Sequence, residues 1–512
     1  MPSIQIKDLS FTYPGSAEPV FDHVSFQLDT DWKTGLVGRN GRGKTTLLQL
    51  LMGNGAYSGT IVSSVPCSYF PYAVPDTALL TGEILQTVCP QAEEWEFLRE
   101  FPELEVEPEV LWRPFFTLSH GEQTKVLLAA LMLRQDQFLL IDEPTNHLDT
   151  EGRRLTAEYL RRRHGFLLVS HDRQFLDSCT DHTIALARSQ IEVVNCSFSA
   201  YWQNFNWRQN FEQSQNEKLN KEIARLEQSA RDRAVWSGRT EKEKRGAADK
   251  GFVGHKSAKM MRRSKSLETR QQNAAAKKRA LLKDAEKAEP LKLQTEPFHA
   301  DRLALFQDVT VFRNGQPVCG PLNFEVHQNS RIVLEGRNGS GKSTILHLFL
   351  QEAGIETRDP QLTHTGTLWT ARGLKISVVP QETGALRGTL KEFAAESGLS
   401  LTLLLSVLRK MDFSRSLFEQ PMEYYSEGQK KKVLLARSIC QPTNLYLWDE
   451  PLNYIDIYTR MQLERLIQEY APSMLFVEHD LAFQRAVANE VQAARLGLEP
   501  SSSVSHGTGS QR

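Results

Sequence analysis

Gly38-Arg39-Asn40-Gly41-Arg42-Gly43-Lys44-Thr45 returns later in the same chain as Gly336-Arg337-Asn338-Gly339-Ser340-Gly341-Lys342-Ser343. Both stretches fit G-x-x-x-x-G-K-[ST], a loop whose backbone N–H groups curl around phosphate oxygens. At average composition one such match arises by chance in roughly one chain of this length in fifty. Two copies with ordered companions downstream do not. The apolar runs Thr34-Gly35-Leu36-Val37 and Arg331-Ile332-Val333-Leu334 supply a preceding strand in each case. The helix opening at Thr45-Thr46 or Ser343-Thr344 aims its positive dipole end at the same anion. Lys44 and Lys342 are placed to reach the β- and γ-phosphates of a nucleotide, and Thr45 and Ser343 to offer a hydroxyl to Mg2+.

The companions repeat in order. Leu118-Ser119-His120-Gly121-Glu122-Gln123 is echoed by Tyr425-Ser426-Glu427-Gly428-Gln429-Lys430. Phe138-Leu139-Leu140-Ile141-Asp142-Glu143-Pro144 is echoed by Leu445-Tyr446-Leu447-Trp448-Asp449-Glu450-Pro451, and Val169-Ser170-His171-Asp172 by Val477-Glu478-His479-Asp480. The offsets are 298 residues for Lys44 and Lys342, 307 for Ser119 and Ser426 and for Asp142 and Asp449, and 308 for His171 and His479. The chain is therefore an internal duplication of an α/β unit around a largely parallel sheet. Each apolar run ending in Asp-Glu predicts a buried strand delivering two carboxylates to one sheet edge. Asp142 and Asp449 are candidate Mg2+ holders; Glu143 and Glu450 are candidates for polarising a water. His171 and His479 are candidate γ-phosphate contacts.

The 512 residues suggest about three domains. A 40% hydrophobic and 24% charged balance with net charge −1 is that of a soluble globular protein. No charged-then-apolar signal pattern opens the chain, and no apolar run reaches the ~18 residues that span a bilayer, so a cytoplasmic protein is expected. The six cysteines lie far apart without a C-x-x-C pair, which predicts reduced packing residues.

Residues 205–290 differ from the rest, with roughly 22 basic against 12 acidic side chains. Leu219, Ile223, Leu226 and Ala230 form one helical stripe, and a weaker one runs from Met260 to Leu281. Two long antiparallel helices are expected, joined by a glycine-containing tip at about 236–257. The expected boundaries are cassette one at 1–204, a basic helical hairpin at 205–297, cassette two at 298–498 and a flexible tail at 499–512. Basic side chains along a helix pair neutralise phosphates without reading sequence, and aromatics at a tip stack on unpaired bases, which fits a folded RNA.

The motif set resembles the ATP-binding cassette superfamily, the Ser-x-Gly signature being what separates it from other P-loop ATPases. The resemblance implies two tandem α/β cassettes in which the signature of one closes on the ATP bound by the other. Site one then joins Lys44, Thr45, Asp142, Glu143 and His171 to Ser426 and Gly428. Site two joins Lys342, Ser343, Gln381, Asp449, Glu450 and His479 to Ser119 and Gly121, with Gln381 also a candidate metal contact. Tyr13 is the candidate for stacking on adenine, with Phe312 the weaker counterpart.

The basic linker and Asp142-Glu143-Pro144-Thr145-Asn146-His147-Leu148-Asp149 are similar to the ABC-F family. That likeness implies binding at the ribosomal E site, near 23S rRNA and P-site tRNA, with the hairpin pushed towards the peptidyl-transferase centre. Gly251-Phe252-Val253-Gly254-His255-Lys256 and Tyr425–Lys432 resemble the Lsa-type branch, which implies protection against lincosamides, pleuromutilins and streptogramin A. Lys242, Lys244, Arg245, Phe252, His255 and Lys256 are the candidate RNA contacts. Other readings are a drug-independent translation factor, the ATPase subunit of a transporter, and a DNA-repair or chromosome ATPase. The long basic linker and Tyr72 count against the transporter subunit, and the lack of zinc modules or far longer coiled coils counts against the repair or chromosome ATPase. Departures fall unevenly on the two sites: Tyr72 stands after Pro71 where Gln381 stands after Pro380, and Leu452-Asn453-Tyr454 replaces Thr145-Asn146-His147. Unequal turnover is expected.

Overall fold

The computed structural model describes residues 2–14, 19–134, 136–146, 148–186, 191–243 and 291–494. These form two compact units, one holding Met1–Ser199 with Ala288–Arg512 and the other Ala200–Lys287. Both cassettes belong to the first.

Cassette one contains β1 (Ser3–Phe11), β2 (Phe21–Asp29), β3 (Lys33–Gly38), β4 (Ser58–Ser63), β5 (Cys67–Phe70), β6 (Phe138–Asp142), β7 (Phe166–Val169), β8 (His182–Leu186) and β9 (Ile191–Val194). Among the described residues β5-β6-β7-β3-β8-β9 make one sheet, parallel except for the β8–β9 hairpin. The runs Phe138–Ile141 and Phe166–Val169 are wholly buried, as parallel strands covered on both faces must be. A second, antiparallel sheet of order β2-β1-β4 lies beside it. Ile4, Ile6 and Leu9 of that sheet share a core with Leu36, Leu47, Leu48 and Leu140.

Cassette two repeats this with β10 (Arg302–Arg313), β11 (Gln316–His327), β12 (Arg331–Glu335), β13 (Leu362–Thr370), β14 (Ile376–Val379), β15 (Leu445–Asp449), β16 (Met474–Val477) and β17 (Glu490–Ala493). The parallel sheet runs β14-β15-β16-β12-β17 and the antiparallel one β11-β10-β13. The α/β fold with tandem cassettes is thus present in both halves. The antiparallel sheets were not legible from the motifs.

The second unit contains most of a single helix, Phe198–Glu243, 46 residues long. At 1.5 Å per residue it extends roughly 70 Å. It begins before the boundary expected at 204 and continues past 236, where the tip was expected to start. The candidate second arm and Lys244, Arg245, Phe252, His255 and Lys256 lie outside the described residues, as does the tail at 499–512; Lys242 lies on the helix, its side chain undescribed.

Candidate nucleotide sites

Strand order brings the motifs together. β3 lies between β7 and β8, and β6 adjoins β7, with Leu36 and Asp142 both in register with Val169. The P-loop, Asp142-Glu143 and Ser170-His171 therefore leave the sheet side by side at its carboxyl edge, where open α/β sheets take ligands. In cassette two Leu334 and Asp449 share Val477 in the same way.

In both P-loops the glycines take left-handed backbone, with φ of 80° and 89° at Gly41 and Gly43 and 78° and 92° at Gly339 and Gly341. A Cβ at Gly43 would come within 2.5 Å of Val20, and one at Gly341 within 2.6 Å of Val318, so the loop admits no side chain there. Gly38 and Gly336 begin the two loops. Lys44 is buried and donates to the carbonyls of Gly38 at 2.8 Å and Arg39 at 3.3 Å, and to Asn40 Oδ1 at 3.3 Å. Lys342 donates to the carbonyls of Gly336 and Arg337 at 2.8 and 2.9 Å. Burial pulls the ammonium pKa of both below its ordinary value, against the carboxylates nearby.

Thr45 Oγ1 donates to Asp142 Oδ2 at 2.8 Å, and Ser343 hydrogen-bonds Asp449. Thr46 shares a 2.7 Å hydrogen bond with the Tyr13 hydroxyl, which pins a ring half exposed and edge-on to Phe11. Phe312 is half-buried within β10. Thr344 follows Ser343 in the first turn of the helix Lys342–Glu352.

Glu143 and Glu450 follow their strands at positive φ, 50° and 45°, and their N–H groups donate to Val169 and Val477. The two glutamates then diverge. Glu143 Oε1 is 3.3 Å from His171 Nε2, yet that oxygen is buried and makes no hydrogen bond. Burial first, then the Asp142 charge, pushes Glu143 up to about 8. Burial also carries His171 well below its ordinary value, helped by the charge of Lys44, so the imidazole is neutral. Burial raises Glu450 too, but the neighbouring His479, together with the hydrogen bonds from Asn453 and Gln381, outweighs it and holds the group down at about 2. Gln381 Nε2 donates to Glu450 Oε2 at 2.9 Å, Asn453 Nδ2 at 2.6 Å, and His479 Nε2 lies 3.6 Å from Oε1.

The signature serines cap helices. Ser119 Oγ accepts from Glu122 N at 3.2 Å and Ser426 Oγ from Gln429 N at 3.3 Å, each within a capping box. Gly121 and Gly428 lie in the first turns behind them. Gly428 sits where its own cassette meets the other: a Cβ there would come within 2.6 Å of the Tyr454 carbonyl oxygen of the same cassette and 3.3 Å of Asn40 Nδ2 of cassette one. Asn40 Nδ2 donates to that carbonyl at 2.9 Å, while Arg39 and Arg42 face Asp412 Oδ2 at 3.6 and 3.4 Å. On the opposite side the Asn338 backbone N–H lies 3.5 Å from Asp149 Oδ2. Each P-loop thus contacts the other cassette.

Several side chains here went unread in the sequence. Tyr69 donates to Asp142 Oδ2 at 3.0 Å. Lys431, fully buried, donates to the carbonyls of Pro380, Gln381 and Asp449 at 2.8, 3.2 and 3.2 Å, and burial draws it down to about 8. Lys432 pairs with Asp456 at 2.8 Å, both buried. Arg153–Asp172 and Arg460–Asp480 are matching buried pairs at 3.0 and 3.1 Å, and Arg173 of cassette one pairs with Glu464 of cassette two.

The hydroxyl–carboxylate pairs fit a hard divalent cation with oxygen ligands. Asp449 Oδ1, buried and without a hydrogen bond, is a further free acceptor there. No three His, Cys, Asp or Glu side chains converge as a metal cage among the described residues.

The ABC transporter family profile matches residues 21–146 and 319–453, about half the chain. The chain belongs to the ATP-binding cassette family. It is an ATPase, and its two cassettes on one chain follow the ABC-F layout. No helix among the described residues is long and apolar enough to cross a membrane. The chain is 27% identical over 501 residues to the ribosome protection protein VmlR of Bacillus subtilis, covering 93% of this chain and 84% of the relative. It is 26% identical over 504 residues to the ATP-binding protein Uup of Caulobacter vibrioides, covering 96% and 77%. Archaeal ribosome recycling factor aABCE1, solved in complex with stalk protein aP1, shares the fold with a TM-score of 0.60 at 19% identity, over 95% of this chain and 87% of that one.

Proposed function

We propose that this ATPase is a ribosome-binding ABC-F factor. It inserts its interdomain linker towards the peptidyl-transferase centre and protects translation from lincosamides, pleuromutilins and streptogramin A. The observation that carries the reading is the likeness to a ribosome protection protein over 93% of the chain. The excess of about ten positive charges over 205–290 supports it, because such a segment binds RNA phosphates. The proposed organisation is a cassette at 1–204, a helical hairpin at 205–297, a cassette at 298–498 and a tail at 499–512, working as a cytoplasmic monomer.

At each site the lysine binds the nucleotide phosphates, and Thr45 with Asp142 or Ser343 with Asp449 holds Mg2+, which neutralises phosphate charge. Glu143 or Glu450 orients and polarises the attacking water, and His171 or His479 contacts the γ-phosphate. ATP draws the cassettes together, since Ser426 and Gly428 complete site one and Ser119 and Gly121 complete site two. The linker then engages tRNA and rRNA through Lys242, Lys244, Arg245, Phe252, His255 and Lys256.

The test is cell-free translation with each drug class, beside ribosome co-sedimentation over a salt series. The expected result is drug protection by wild type and co-sedimentation that falls steeply with salt. Phe252→Ala should lose protection while retaining ATPase and its melting temperature. Reversing Lys242, Lys244 and Arg245 should weaken ribosome binding itself. Absence of ribosome binding overturns the whole reading. Binding without protection against any class leaves a drug-independent translation factor.

A further inference from the structure

β5 and β14 occupy the same place in the two sheets. Tyr69 is in register with Leu140, two residues before Asp142, and Val378 with Leu447, two residues before Asp449. The duplication therefore sets a tyrosine in site one opposite a valine in site two. The Tyr69 hydroxyl reaches Asp142 Oδ2 at 3.0 Å, the oxygen that also accepts from Thr45 at 2.8 Å. Two donors on one oxygen fix the carboxylate and favour its ionised form. Burial raises Asp142, and the bonds from Thr45 and Tyr69 oppose that rise.

The sites differ in a second, linked way. Site two has Gln381 and Lys431, the first on Glu450 and the second on the carbonyls of Pro380, Gln381 and Asp449. At the matching positions site one has Tyr72 and Thr124, which offer neither an amide nor an ammonium. Tyr69 supplies a polar tie in site one that site two makes with other residues.

We propose that Tyr69 is a positioning residue of site one, acting through Asp142 on the Mg2+ that accompanies the nucleotide. Groups that hydrogen-bond a metal-holding carboxylate set its orientation and basicity, and losing one typically costs roughly 10–100-fold in metal affinity. The effect is confined to site one, because Val378 has no hydroxyl to lose.

The experiment isolates each site in the full-length protein. Lys342→Ala disables site two and Lys44→Ala disables site one. Binding of Mn2+·ATP is followed by electron paramagnetic resonance, and binding of metal-free ATP in EDTA serves as the control. Adding Tyr69→Phe to Lys342→Ala should weaken Mn2+·ATP about tenfold or more and leave metal-free ATP unchanged. Adding it to Lys44→Ala should change neither. Equal Mn2+·ATP affinity with and without the hydroxyl overturns the proposal. So does an equal loss for metal-loaded and metal-free ATP, or a loss at both sites with a lower melting temperature, since each marks a packing role.

Discussion

At the scale of single residues the two sites are chemically unequal despite matching motifs. Glu450 is held at about 2 by His479, Asn453 and Gln381, whereas Glu143 stands at about 8 beside a neutral His171. A water-polarising carboxylate must be ionised. With site two silenced by Glu450→Gln, ATPase is expected to climb with pH, to be half-maximal near 8 and to level off above that. With site one silenced by Glu143→Gln, it should stay flat through the neutral range. Identical pH profiles in the two single variants would show that the glutamates work in equal surroundings. The double variant should retain ATP while turnover falls by about 10²–10³, measured under single-turnover conditions. Full turnover there would remove both glutamates from the chemistry.

At the scale of elements, the signature helix Glu427–Cys440 is tied to the helix Ile457–Tyr470 by a buried ion pair. Asp456 caps the second through Thr459 N and pairs with Lys432 of the first, both side chains at most 4% exposed. Removing one partner of such a pair leaves a buried charge, so Lys432→Met should cost about 3–5 kcal/mol in a denaturant melt. Burial raises Asp456, but Lys432 outweighs it and depresses the group. The pair's contribution is therefore present above the unfolded value near ~4 and disappears as pH falls through the folded one, so the gap between variant and wild type should close in acid. A gap unchanged by acid would place the loss elsewhere. This pair also shows what the sequence could not reveal. The P-loops, the Asp-Glu runs and the signatures were legible because each packs its chemistry into consecutive residues, and the parallel sheet followed from their order. Tyr69 and Asp142 are 73 residues apart, and Arg173 and Glu464 are 291 apart. Only strand register or cassette packing brings such residues together. Nothing in the signature stretch marks Lys431 and Lys432 as buried, yet both are.

At the scale of the molecule, the cassettes are joined by polar contacts at both P-loops. Asp412 faces Arg39 and Arg42 at site one. Asp412→Arg turns that attraction into repulsion, and nucleotide trapped at site one in the double-glutamine background should escape about tenfold faster, a change worth about 1.4 kcal/mol. Release from site two should be unaffected; equal acceleration at both would mean that the cassettes part as one rigid step. The Arg173–Glu464 pair has a different lesson. Its positions correspond to Leu481 and Ala157 in the other half, so the ion pair has no mirror image. Two separate copies of one cassette would carry every substitution twice, on both flanks of their axis. Joined in a single gene, the halves can be edited one at a time, and a mutation at Arg173 alters one flank while its twin position stays untouched. Fusion thus gives this protein a handedness that no symmetric pair could inherit.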